Sequence, residues 1–225
     1  DYPAAGAKAV LVDLGYWGRL DGGKLAGFHR ISVNAPHATA YFQRVRHPAD
    51  RWRYFNVATR PFGCAGTNVL LAGMSAKAAW VYDLGPEEWE REALAALRRA
   101  PSARPILYRP KPSWRAASPR AGAAWAAARR VADPLPLDDV WALVTHHSHA
   151  ALEALAAGVP VFVEDGLAVP LARRGLENLA DIERPLYPDE AERDQLLFDV
   201  AYTQYKVAEI AEGKAWRYLR KEGLI

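Results

Sequence analysis

Short apolar runs rich in β-branched residues, bounded by Gly, Pro or Asp, alternate along the chain with stretches of helical period. That alternation is the pattern of an α/β protein. The clearest series begins at Asn68-Val69-Leu70-Leu71-Ala72-Gly73, which predicts a strand. Pro86-Glu87-Glu88-Trp89 then opens a helix to about Arg99, with proline in its first turn and carboxylates beside the positive end of its dipole. Arg104-Pro105-Ile106-Leu107-Tyr108 and Trp141-Ala142-Leu143-Val144-Thr145 predict two further strands. Helical spacing returns from Ser148 to Ala157, Gly158 stops it, and Val159-Pro160-Val161-Phe162-Val163 makes a fourth strand. Four strands joined by helical crossovers predict a Rossmann-like, doubly wound parallel sheet.

Upstream, Val10 to Asp13 and Arg30 to Val33 predict strands, separated by loop material at Gly15-Tyr16-Trp17-Gly18-Arg19 and Gly22-Gly23. The run Ala9-Val10-Leu11-Val12 has the composition of a core strand. It comes within a few residues of Asp1, which predicts either preceding residues or an ordinary short leader. Downstream, Pro188-Asp189-Glu190 predicts a long helix through Asp199, Tyr202 and Tyr205 to about Glu212; after Gly213 a last helix runs from Ala215 to Glu222. The Ala- and Arg-rich stretch from Ala116 to Arg130 reads as a surface connection with partial helicity. The expected division is a small N-terminal portion over 1–66, a Rossmann-like domain over 67–187 and C-terminal helices over 188–225.

With 225 residues, 51% of them hydrophobic, the chain has enough apolar surface for one large domain or two small ones, and disorder is excluded. Lys and Arg number 29 against 26 acidic residues; a formal charge of +3 permits a nucleic-acid partner without requiring one. The single cysteine, Cys64, excludes an intrachain disulfide framework. No run approaches the roughly 18 apolar residues of a spanning helix, and no signal-peptide layout opens the chain. A soluble, cytoplasmic protein with no membrane partner is expected.

Chemistry concentrates at Thr145-His146-His147-Ser148-His149, where a buried strand runs into a polar turn that opens a helix. In a parallel sheet such a turn lies at the carboxyl edge, where helix amides and a Ser148 hydroxyl suit a phosphate or diphosphate. Ser148 is equally well placed as a simple helix cap. Glu153, four residues after His149, projects from the same helix face and can accept from ribose hydroxyls, or merely favour the dipole from solvent. Arg109 and Lys111 follow the strand at 104–108, with Pro110 and Pro112 stiffening the loop and holding the cations out toward a diphosphate or toward water. Gly73 and Lys77, in Gly73-Met74-Ser75-Ala76-Lys77, leave another strand end and can approach a ligand from the other side. They do not form a Walker-type loop. No set of Cys or carboxylate ligands completes a metal site around His146, His147 and His149, so direct contact with phosphate or sugar is expected of them, and no metal. No G-x-G-x-x-G follows a predicted strand, against a NAD-type dehydrogenase, and Ser148 lacks the flanking glycines of a nucleophile elbow.

The stretch from Thr145 to Val161, with Glu153-Ala154-Leu155-Ala156-Ala157-Gly158-Val159-Pro160-Val161 after the turn, resembles the donor-binding region of GT-B glycosyltransferases and related sugar-nucleotide epimerases. Asp13-Leu14-Gly15-Tyr16-Trp17-Gly18-Arg19, Tyr108-Arg109-Pro110-Lys111-Pro112-Ser113-Trp114 and Thr145-His146-His147-Ser148 together resemble phage-encoded glycosyltransferases. The resemblance implies a GT-B-like fold with a reduced or truncated acceptor-side lobe over 1–66 and a nucleotide-sugar domain over 67–187, the helices of 188–225 packing back across the lobes. It implies Ser148 near the donor diphosphate and Glu153 near its ribose or sugar, with no cofactor beyond a nucleotide-sugar substrate, UDP-linked. A hydroxymethylated pyrimidine in phage DNA is an implied acceptor, and a host cytoplasm the implied location. An inverting transfer needs a base opposite the leaving group; Asp13 and His147 are the catalytic candidates, with His29 and His37 as alternatives. Asp13 can instead cap the Gly15–Arg19 turn, and Tyr16 and Trp17 can stack on a sugar or base, or be core. The rival functions are a sugar-nucleotide epimerase or hydrolase on the same scaffold, and a non-catalytic nucleic-acid-binding module using the stretch from Arg115 to Arg130, which contains one aromatic residue, Trp125.

Overall fold

The computed structural model describes residues 6–23, 26–38, 45–63, 66–111, 128–131 and 135–225. Cys64, the loop end Pro112-Ser113-Trp114 and the basic stretch as far as residue 127, Trp125 included, lie outside the described residues. The chain forms two compact units, one comprising Asp1–Val57 and Asp194–Ile225, the other Ala58–Arg193.

In the first unit β1 (Val10–Leu14) pairs antiparallel with β2 (Phe28–Val33), and a short helix α1 (Asp50–Tyr54) follows. β1 is an exposed edge strand, with Val10, Leu11 and Val12 open to solvent. The expectation of a core strand there is corrected: an edge strand has only one neighbour to cover it. Tyr16 and Trp17 are core; the Trp17 ring meets Trp52 edge-on at 4.8 Å.

The second unit holds a six-stranded sheet built from β3 (Asn68–Ala72), helices α2 (Ala76–Val81) and α3 (Glu88–Arg99), β4 (Ile106–Arg109), β5 (Ala128–Arg130), β6 (Val140–Thr145), helix α4 (Ala150–Ala156), β7 (Val161–Val163) and β8 (Arg173–Arg174). All of its pairings are parallel, in the order β5-β4-β3-β6-β7-β8. The expected four strands are present, with β5 and β8 added at the two edges. β5 ends the segment that composition marked as partly helical; pairing with β4 overrides a weak helix preference there.

From β3 the chain moves outward through β4 to β5, then returns to β6 and moves outward the other way. Right-handed crossovers in opposite directions put their helices on opposite faces. On the α3 face, Val69, Leu71, Tyr108, Ala142, Val144 and Phe162 pack with Trp89, Leu94, Leu97 and Leu179. The alternate residues Leu70, Leu107, Leu143 and Val161 point the other way and are equally buried. Leu152 and Leu155 of α4, which packs on β6 and β7, cover that side.

The predicted long helix after Pro188 is corrected. Helix α5 (Glu190–Ala201) stops, β9 (Gln204–Lys206) follows, and then α6 (Val207–Ala211) and α7 (Lys214–Lys221). β9 pairs antiparallel with β2, and Ile31 N donates to Thr203 O at 2.8 Å. Gln204, fully buried, accepts the Tyr16 and Trp17 amides on Oε1 at 2.6 and 3.1 Å. Buried backbone donors need acceptors, and with residue 204 in a strand rather than a helix one side-chain oxygen serves both amides.

Candidate functional site

Register decides what meets at the carboxyl edge of the parallel sheet. Ala72 stands opposite both Arg109 and Thr145, Thr145 opposite Val163, and Val163 opposite Arg174. The turns after β4, β3, β6, β7 and β8 therefore leave side by side. Thr145 Oγ1 donates to Ala72 O at 2.9 Å, clamping the ends of β3 and β6. Because the strand order reverses between these two, their following turns diverge. A topological switch point of this kind is where open α/β sheets bind ligands.

On the β6 side, the His146 carbonyl accepts from Glu164 N and Asp165 N at 2.9 and 2.8 Å, which holds the β6 turn against the turn after β7. The His146 ring is buried, with its Nδ1 3.0 Å from Nδ1 of His147, so one of the two must carry the proton and donate. The Tyr82 ring lies 4.4 Å from His146 and 5.0 Å from His147, and its hydroxyl donates to Asp165 at 2.6 Å. Burial drives the His146 pKa down, against the pull of the Asp165 carboxylate. Burial and the bond to Asp165 drive the Tyr82 phenol up.

On the β3 side, Ser75 caps α2 by accepting Ala78 N, and a fully buried Glu90 from α3 accepts Met74 N on Oε1 at 2.8 Å. Among the described residues its Oε2 has no hydrogen-bond partner. A Cβ at Gly73 would stand 3.1 Å from Glu90 Oε1 and 3.2 Å from the Tyr108 hydroxyl, so glycine lets this turn lie directly over the acid. Tyr108 in turn donates to the buried Glu87 at 3.3 Å. Burial pushes the Glu90 carboxyl up despite the Met74 amide, and Glu87 adds to the rise. Burial raises Glu164 as well. Along this edge burial thus favours the neutral forms of His146, Glu90 and Glu164.

Of the residues singled out in the sequence, Gly73, Arg109, His146 and His147 lie at this one edge. Arg109 ends β4 and is buried rather than held out by the prolines, while its carbonyl accepts Gly73 N at 2.9 Å. Lys111 lies two residues beyond, partly buried, and Lys77 is exposed on the first turn of α2. Ser148, His149 and Glu153 mark the start of α4. The helix is seven residues long, His149 is its N-cap, and Ser148 Oγ accepts Ala150 N at 3.3 Å. His149 Nε2 and Glu153 Oε1 stand 3.2 Å apart, the shared face that their spacing predicts.

Asp13 belongs to the other unit, where its carboxylate pairs with Arg30 at 3.0 Å and accepts Leu14 N at 2.8 Å. His29 lies there too, 3.1 Å from Gly27 O, and His37 contacts Tyr16 and Arg30. Asp165 was within reach of the sequence argument, since it follows the strand at 159–163 by the same edge rule that picked out Arg109. Tyr82, Glu87 and Glu90 carried no such signal, because helix spacing does not say which strand end a helix returns over. Among the described residues no group of three or more His, Cys, Asp or Glu is disposed to hold a metal ion, and no helix is long and apolar enough to cross a membrane.

No family model matches the chain, and no curated protein matches it. Among solved structures, Thermosulfurimonas dismutans KpsC, titled a beta Kdo 2,7 transferase, aligns over 79% of this chain and 60% of its own, at 16% identity and a TM-score of 0.40. A likeness of that size assigns no activity. The Rossmann-like description rests on the strand order itself, six parallel strands whose order of succession reverses between β3 and β6.

Proposed function

We propose that the chain transfers a glycosyl group from a nucleotide-linked donor held in the crevice between the turns after β3 and β6. The observation that carries this reading is the reversal of strand order there, with Gly73, Arg109, His146 and His147 on the two sides of one switch point. In the transfer, the acceptor oxygen attacks the anomeric carbon, the bond from that carbon to the diphosphate breaks, and the acceptor proton passes to a base. Arg109 and Lys111 offset the charge that builds on the diphosphate. Ser148 and Glu153 contact the donor, with Gly73, Lys77, His146 and His149 around it, and His147 takes the proton. A GT-B type, a UDP-linked donor and a hydroxymethylated pyrimidine in DNA as acceptor rest on the resemblance of the three motifs.

A second reading has its own support. His146, His147, Tyr82 and Asp165 bring acid and base groups together at the β6 side of the switch point, which suits epimerisation or hydrolysis of a sugar nucleotide. Calorimetric titration with nucleoside diphosphates and nucleotide sugars, followed by product analysis with and without acceptor, separates the two. Selective binding weakened by Ser148→Ala and Glu153→Ala, and a glycosylated acceptor whose formation His147→Ala abolishes, supports transfer. Product formed without an acceptor overturns transfer in favour of the second reading; a folded protein that binds no nucleotide overturns both.

A further inference from the structure

A cavity of about 350 Å³ lies wholly within the unit of residues 1–57 and 194–225. Its aromatic lining is Tyr54 and Phe55 at the end of α1, backed by the buried Phe28 of β2, with ring centroids 5.5 and 4.7 Å from that of Phe28 and the Lys206 ammonium 5.2 Å from the Tyr54 centroid. Tyr54 is 62% exposed, so its ring is open to a ligand. It is also held in place, because Lys206 Nζ donates to its hydroxyl at 2.7 Å.

The remaining lining groups carry charge in balance. Arg51 and Lys206 are positive, Asp50 and Glu209 negative. Arg51 is committed to Glu209 through two contacts of 3.1 Å, and Tyr202 donates to Asp50 at 2.8 Å. An anion entering here would meet two carboxylates, and a cation two basic groups, so the lining selects neither. A flat base finds no parallel slot, since the Phe28 ring meets Tyr54 and Phe55 at 64° and 60°. A pyranose fits all of these terms. One face of its ring is C–H and gains by leaving water against an aromatic wall, while its hydroxyls both donate and accept and can use Asp50 and Lys206 together. The volume is at the lower end of that found for small-molecule sites, enough for one or two sugar rings.

We infer that this cavity binds a neutral saccharide. The inference stands apart from the transfer reading, because it concerns one unit alone and requires no nucleotide.

The test is saturation-transfer NMR on the full chain with glucose, galactose, N-acetylglucosamine, maltose, cellobiose and lactose, alongside uridine 5′-monophosphate and inorganic phosphate. It is repeated with Tyr54→Ala and Asp50→Asn, both surface changes. At least one saccharide is expected to bind, about tenfold more weakly in either variant, with uridine 5′-monophosphate unaffected. No saccharide binding to folded wild type, saccharide signals unchanged in both variants, or weakening of the nucleotide or phosphate instead would each overturn the inference. If Tyr54→Ala fails to fold, Asp50→Asn decides alone. Failure of the nucleotide to bind at all counts against the donor crevice and leaves the saccharide result to be read by itself.

Discussion

Glu90 offers the most direct test of how the crevice is built. It is fully buried, with one carboxyl oxygen on the Met74 amide at 2.8 Å and the other without a partner among the described residues. Burial raises its pKa, the Met74 amide opposes that rise, and the neighbouring Glu87 reinforces it. In the unfolded chain the same carboxyl ionises in the ordinary range. Between the two values the native state binds more protons than the unfolded one. The stability contributed by the neutral carboxyl is therefore whole below the ordinary carboxylate pKa and is lost as pH rises through the folded value, at about 1.4 kcal/mol for each unit of elevation. Glu90→Gln keeps an acceptor for Met74 and cannot ionise. It is expected within about 1 kcal/mol of wild type near pH 5 and increasingly ahead of it toward pH 9. Glu90→Leu leaves the Met74 amide buried without an acceptor and should cost about 1–3 kcal/mol even near pH 5. Urea unfolding at unit steps of pH measures all three proteins. If the lead of the glutamine variant does not grow with pH, Glu90 is not held neutral; if the leucine variant matches wild type, the Met74 bond does not hold the turn.

Three further outcomes follow from the same structure. Gly158 ends α4 with φ at +75° and its Cβ position against the Pro61 carbonyl, so Gly158→Ala combines left-handed strain with overpacking and should cost roughly 2–5 kcal/mol, read as a fall in Tm. Asp199 Oδ1 accepts from His47 N, His47 Nδ1 and Gln195 Nε2, all within 3.0 Å, so Asp199→Ala strands buried partners and should cost about 3–5 kcal/mol, with Asp199→Asn recovering part of it in denaturant unfolding. Burial lowers the His146 pKa, so the unfolded state takes up that proton first. The stability due to neutral His146 is present above the unfolded pKa of about 6.5 and is lost as pH falls below it; thermal unfolding from pH 7 to 5 should show a shallower decline in His146→Asn, and an equal decline would contradict the assignment.

Much of the parallel sheet was legible because each of its central strands is a continuous apolar run, buried on both faces and bounded by breakers. The runs at 68–73, 104–108, 141–145 and 159–163 needed no tertiary information to be found, and each overlaps an observed strand. The same patterning misjudged Val10-Leu11-Val12, since composition does not distinguish a central strand from an edge strand. It also carried a helix across Gln204, whose partner in β2, Arg30, is 174 positions away. At the candidate site, the turn at 145–149 and the position of Arg109 followed from the edge rule, whereas the burial of Arg109 depended on what packed over the strand end.

The sequence alone determined the alternation of elements, the parallel character of the central sheet and the polar turn at its edge, because these follow from local hydrophobic period and breakers. Only the tertiary structure decided the strand order, and with it which turns face one another across the switch point. It also brought Tyr82 and Asp165 to the two histidines, set Glu90 beneath Gly73, and drew residues 204–206 into the N-terminal sheet. Each of those juxtapositions joins groups far apart in the chain, and satisfying buried polar groups at a distance is a condition that no local pattern encodes.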